Sequence, residues 1–280
     1  MSFDLALLDR PFRMQPGLRR MGPGEAHLTP LPAGSALYRE KLQVLQAGQS
    51  RWCVPGFDPR FAIESIAQHA RATWTPGTFD AETPLELAVS EDLAVLDAAT
   101  GTVPWLCVCT PSHWAPEDKL GQSLAAIHGP VADNARLLAA SGALVQLVTS
   151  GTAWERFVWT VSPSARHDQH PRRQPRAPWP ATDDPAAFAA RCFVRVERQT
   201  FLPVPGQAQA VFTIGVTLQP LAEAVATPAQ ATGLHGALQS MSPAVLAYKG
   251  LDTAQPLLLR WLAGRGATAP GETPAPAPPG

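Results

Sequence analysis

The 280-residue chain is 45% hydrophobic and 16% charged with a formal net charge of -1, so it can bury a sizeable core and reads as an ordinary globular protein. No lysine- or arginine-rich stripe runs through it, which removes the electrostatic footprint of a nucleic-acid binder. From Met1 to Arg20, charged Asp4, Asp9 and Arg10 surround one short apolar patch, Leu5 to Leu8; this fits neither a signal peptide nor a membrane span, and a cytoplasmic location is expected.

In chain order, the first helices are expected over Ser35–Ala47, where Tyr38, Leu42 and Leu45 recur at helical spacing, and over Pro59–Thr73 with Ile63, Ile66 and Ala70. A third opens at Thr83-Pro84-Leu85-Glu86, which has the spacing of a capping box with proline at the first helical position. Leu93–Asp97 and Val103–Thr110 then read as a hairpin around Ala98–Gly101. Cys107 and Cys109 alternate along it and share a face; with Cys53 and Cys192 they form neither a disulfide framework nor a CxxC pair, so buried thiols are expected, with a thiolate metal ligand as the alternative.

One helix is expected from Pro116 to about His128, with Leu120, Leu124 and Ile127 on one side, and another over Asp133–Val148. Trp154–Val161, Cys192–Leu202 and Gln209–Leu218 read as strands, the last two as a long hairpin. About five antiparallel-capable strands with helices between and outside them define an α+β domain with one sheet face covered, spanning 1–263. Residues 264–280 are rich in proline and alanine and are expected to form a disordered tail.

Four places could carry chemistry. His128 ends a helix and precedes Gly129-Pro130, which suits an imidazole projecting into a pocket to ligate a metal, or equally one satisfying helix carbonyls. His167 and His170 lie in the long loop Ser162–Asp184 beside Arg172 and Arg173, without a third ligand at a zinc-like spacing; exposed loop histidines and a hold on an anionic cofactor edge are both open. On the strand from Phe193 to Phe201, alternation sets Arg195, Glu197 and Gln199 on one face and Arg198 and Thr200 on the other, lining either a polar cavity or a solvated face. Ser240–Pro243, Tyr248-Lys249-Gly250 and Trp261 suit capping and packing. No Walker loop, GxGxxG or GxSxG occurs, so nucleotide-binding and hydrolase fingerprints are missing.

Six motifs, in order along the chain, resemble one family. They are Trp114-x-Pro116-x-x-Lys119-x-Gly121, Ile127-His128-x-Pro130-Val131, Asp168-Gln169-His170-Pro171, Val196-Glu197-Arg198-Gln199-Thr200, Val211-Phe212-Thr213-Ile214 and Tyr248-Lys249-Gly250. They are similar to the α subunit of heme-dependent oxidative N-demethylase; the N-terminal third matches only through Pro11-Phe12 and Gly17-Leu18. Ala132 departs from the pattern, standing where the family usually carries a second proline.

The resemblance implies a PAS-like heme-binding sheet with extra N- and C-terminal helices, in an enzyme that oxidises a small secondary amine such as dimethylamine with dioxygen to the primary amine and formaldehyde. It places NADPH, FMN and an iron–sulfur cluster on partner reductase subunits, with tetrahydrofolate also involved and no role for nucleic acid or membrane. It makes His128 the expected heme-iron ligand with His170 as second choice, sets Lys119, Arg172 and Arg173 on the heme propionates, and puts Arg195, Glu197 and Arg198 on the distal side. A heme-based gas or redox sensor without turnover is the competing expectation, since one fold serves both.

Overall fold

The structure is a computed structural model and describes residues 3–22 and 24–266. The chain divides into two compact units, one made of Met14–Pro178 with Val194–Leu218, the other of Met1–Arg13, Trp179–Phe193 and Gln219 onward.

The first unit holds β1 (Arg19–Arg20), α1 (Ala36–Gln46), β2 (Arg51–Cys53), α2 (Arg60–Thr73), α3 (Leu85–Ala88), β3 (Asp92–Asp97), β4 (Thr102–Cys107), α4 (Leu124–His128), α5 (Ala135–Thr149), β5 (Trp154–Ser162), and most of β6 (Phe193–Pro203) and β7 (Gln209–Pro220). Among the described residues these make one sheet in the order β1-β5-β6-β7-β3-β4-β2, so seven strands replace the expected five. The two extra ones are the edges, of two and three residues, too short to display a period of two.

Helices cover both faces of this sheet, where one covered face was expected. Leu93 and Val95 of β3 pack with Ala62, Ile66 and Ala70 of α2, while the alternate residues Ala94 and Leu96 pack with Val145 and Val148 of α5. All six residues of β3 are buried, as a central strand between two helical layers must be.

Three expected helical features are corrected. The stretch from Pro116 to His128 is a 3-10 turn over Pro116–Asp118, a break, and then α4. The break falls at Gly121, whose φ of 70° is left-handed, and its N–H donates to Val103 O at 2.8 Å, so pairing to the start of β4 replaces helix continuation. At α3 the capping box does not form: the Thr83 hydroxyl donates to Asp80 instead, and the buried Glu86 carboxylate accepts from Ser50 and Arg51, each at 2.7 Å. α1 also turns differently from its apolar spacing, burying Lys41 and Val44 rather than Tyr38, Leu42 and Leu45. Lys41 Nζ donates to Glu91 O at 2.8 Å and pairs with Asp92 at 3.2 Å, which ties α1 to β3.

The second unit is helical: a 3-10 turn at Leu5–Leu7, α6 (Pro185–Ala189), α7 (Leu221–Ala224), α8 (Pro228–Gln239), α9 (Pro243–Lys249) and α10 (Gln255–Gly266). Leu234, Leu238, Leu258 and Leu262 are fully buried within it, and a Cβ on Gly233 would lie 2.1 Å from Leu5 O, so only glycine admits the N-terminal turn against α8. Ser242 caps α9, left-handed Gly250 ends it, and Lys249 lies over the Phe12 ring, so the C-terminal motif has capping and packing duties. The helix α10 runs through Gly266; the rest of the 264–280 segment lies outside the described residues.

Candidate active site around His128 and Glu197

The short helix α4 is capped by Ser123, whose Oγ accepts from Ala126 N at 3.2 Å, and His128 is its last residue. Its Nδ1 lies 2.8 Å from Leu124 O, one helical turn back. A carbonyl only accepts, so Nδ1 carries the proton and donates, leaving the lone pair on Nε2. This is the arrangement by which a backbone carbonyl fixes the tautomer and orientation of a metal-binding imidazole. Burial lowers the pKa of His128 against the opposing Leu124 hydrogen bond, and Arg156 and Lys119 push the same way, which keeps the ring neutral as ligation requires. Asn134 Nδ2 donates to His128 O at 3.0 Å and Gly129 O at 2.8 Å, locking the turn in which Ala132 replaces the family's proline.

Leu120, Leu124 and Ile127 face the sheet beside Trp52, Trp114, Trp154, Phe201 and Phe212, and all these large apolar side chains are only partly buried. Phe201 and Phe212 stack with centroids 4.9 Å apart. A neutral imidazole beside an apolar, incompletely covered aromatic wall fits heme, which needs an axial nitrogen and flat apolar walls. No group of three or more His, Cys, Asp or Glu side chains among the described residues could hold a metal by itself. Burial raises the thiols of Cys107 and Cys109 far up and that of Cys192 to about 12, so without a metal these groups stay neutral thiols.

Glu197 and Gln199 precede Phe201 at period two, so they share its sheet face. Gln199 Nε2 donates to Glu197 Oε2 at 2.7 Å, and the Ser112 hydroxyl donates to Oε1. Ser112 Oγ in turn accepts from Arg195 Nε at 2.7 Å. The result is a half-buried carboxylate fixed by two neutral donors, with a buried guanidinium one hydroxyl behind it.

Other predicted site residues are placed differently. Arg195 is 1% exposed, and its other hydrogen bonds among the described residues go to the carbonyls of Thr110, Arg166 and His167, so it ties loops to the sheet. Arg198 lies on the opposite face, where its Nε donates to Glu155 Oε2 at 2.9 Å and Nη1 to Ala26 O. His170 is buried with both ring nitrogens engaged: Nδ1 accepts from Arg172 N and Nε2 lies 3.1 Å from Glu117. Burial pulls the Glu117 carboxyl upward, but hydrogen bonds from His170 and Arg172 outweigh it and hold the pKa at about 2. Arg172 pairs with Glu117 and Asp118, and Arg173 with Asp168, Gln49 O and Cys109 O. His167 serves Glu40. Lys119 remains near the site, donating to Ile127 O at 3.4 Å. Reasoning from sequence placed Ser112 at the start of the candidate stretch Ser112–Gly121 that leads to His128 but gave it no role, and it missed Arg156, which alternation along β5 places on the same face as Trp154.

The protein is of the α+β class: a sheet clad on both faces, with a backbone-anchored imidazole over a partly covered aromatic wall and a hydrogen-bonded carboxylate on that same face. The chain belongs to the family described as haem-dependent oxidative N-demethylase, alpha subunit-like, whose model matches residues 60–259. That span contains β3 to β7, His128 and Glu197. Among curated proteins, none matches the chain. No helix among the described residues is long and apolar enough to cross a membrane.

Proposed function

We propose that this protein binds heme through His128 Nε2 and catalyses oxidative N-demethylation of a small secondary amine of the dimethylamine type. Family membership supports the reaction class. The observation that carries the ligand assignment is the Nδ1–H to Leu124 O bond at 2.8 Å, which leaves Nε2 as the unprotonated nitrogen beside the open aromatic wall. When bound, heme iron supplies the dioxygen chemistry that side chains cannot.

The chain's own residues do the rest. Leu120, Leu124, Ile127, Phe201 and Phe212 wall off water. A secondary amine is a cation at neutral pH, and the Glu197 carboxylate, oriented by Ser112 and Gln199, pairs with the ammonium and takes its proton so that the nitrogen lone pair is exposed for oxidation. Buried Arg195 stands behind Ser112 and donates to its hydroxyl oxygen at 2.7 Å, which holds that hydroxyl as a donor to the carboxylate. Electrons come from a separate NADPH-dependent reductase carrying FMN and an iron–sulfur cluster, consistent with an α-subunit family.

The test is the visible spectrum of the purified or hemin-reconstituted protein, before and after dithionite and carbon monoxide, followed by formaldehyde release from dimethylamine with a surrogate reductase. About one heme per chain, amine-induced spectral change and formaldehyde support the reading. Colourless protein in excess hemin overturns it, and stable gas binding without turnover favours a sensor.

A further inference from the structure

Trp154 opens β5 and, by alternation, shares a face with Arg156, while Glu155 between them points the other way into its pairs with Arg19 and Arg198. The indole packs in the cluster that holds Leu124 and Ile127, the α4 residues flanking the His128 turn. Its Nε1–H is buried and finds no acceptor among the described residues. Buried donors are nearly always paired, and leaving one unmet is destabilising, so this donor marks a place where an acceptor belongs.

Two cations lie near the His128 ring. Lys119 spends one of its three N–H donors on Ile127 O at 3.4 Å, directly before His128. Arg156 Nη1 donates to Pro16 O at 3.4 Å. The Arg156 guanidinium and the Lys119 ammonium both act electrostatically on the His128 ring. A buried neutral donor with two positive charges near a metal-binding imidazole is the donor set for an anionic, carboxylate-bearing edge of a flat ligand.

We propose that Trp154 Nε1–H, with Arg156 and Lys119, forms a carboxylate subsite that receives a propionate of the heme ligated by His128. This rests on the heme reading above and replaces Arg172 and Arg173 in that role. The indole N–H donates to a propionate oxygen, and the two cations neutralise its charge.

The experiment is a cycle between protein and ligand: wild type, Trp154→Phe and Arg156→Gln, each loaded with heme or with heme dimethyl ester, followed by release into excess apomyoglobin. Trp154→Phe is expected to keep the imidazole-ligated spectrum and to release heme about tenfold faster than wild type, with Arg156→Gln in the same direction. The ester should leave wild type faster than heme does, and at equal rates from wild type and both variants. If the Trp154→Phe to wild-type rate ratio is the same for heme and ester, the indole only packs and the subsite is overturned. Should a variant misfold, the heme-to-ester ratio on wild type alone still decides, because a ratio of one removes any role for the carboxylate. His128→Ala with an unchanged spectrum overturns the ligand assignment independently of these rates, and a wild type that takes up no heme overturns both.

Discussion

The two faces of the sheet are built to different standards. Under α2 the packing is closed: Ala62, Ile66, Ala70, Leu93, Val95 and Val211 are fully buried, and the polar groups there satisfy one another, as where Thr200 bonds Thr213 and His27. Under α4 the wall is made of large aromatic and aliphatic side chains left partly uncovered, with an indole donor unmet. Interiors otherwise pack to crystal density, so a face that departs from that standard beside an imidazole with a ready lone pair is one shaped for an occupant. On the function proposed above, the α4 face is the one that receives the ligand.

The sharpest way to break this contrast is His128→Ala. We expect complete loss of heme or of its imidazole signature, with the apo-protein melting near wild type, read by absorbance and calorimetry. If His170→Ala goes colourless while His128→Ala keeps its spectrum, the open face is not the heme face.

A pair of truncations compares the faces directly. Ile66→Ala, at 0% exposure, should cost about 2–5 kcal/mol in denaturant unfolding while the heme spectrum of the surviving folded protein is unchanged. Phe212→Ala removes more atoms but from the incompletely packed wall, so it should cost the apo-protein less than Ile66→Ala and weaken heme uptake. The reverse order of stabilities would show that the wall is core.

On the open face, Glu197→Gln should keep a normal heme spectrum yet lose amine-induced spectral change and lower turnover by roughly 10²-fold or more, as loss of proton transfer does. Loss of heme on that substitution would make the carboxylate structural.

The smallest effect is expected on the closed face. Burial first, then His69 and Arg198, lower the pKa of His27 from 6.5 to about 4, and His69 is lowered by burial as well. The unfolded chain therefore takes up these protons first: stability is full above about pH 6.5 and falls as the pH drops toward 4, by no more than about 3 kcal/mol for His27. Melting temperature followed from pH 7 to 4 should show this slope, and His27→Gln should flatten it without moving the heme spectrum. An unchanged slope in His27→Gln would place the titration elsewhere.

Much of this organisation was legible in the chain. Periodicity located α1, α2, α5, the β3–β4 hairpin and the long β6 and β7 strands, because long segments repeat their apolar spacing often enough to declare a period. Alternation correctly joined Arg195, Glu197 and Gln199 and set Arg198 apart from them, and the motif order pointed to the family that residues 60–259 match.

What tertiary structure alone decided concerns partners distant in sequence. β1 and β2 exist because neighbouring strands offer them hydrogen bonds. Gly121 breaks a helix that local spacing favoured, since its N–H finds Val103 O, and Glu86 leaves its capping role because Arg51 offers a stronger, charged donor. His128 and His170 were ranked by the resemblance alone, and how their ring nitrogens are engaged is visible only in the fold: among the described residues His170 spends both on Arg172 N and Glu117, while His128 spends Nδ1 on Leu124 O. Side-chain type fixes what chemistry a residue can do, but whether its donors and lone pairs are already used depends on groups that the fold brings within about 3 Å.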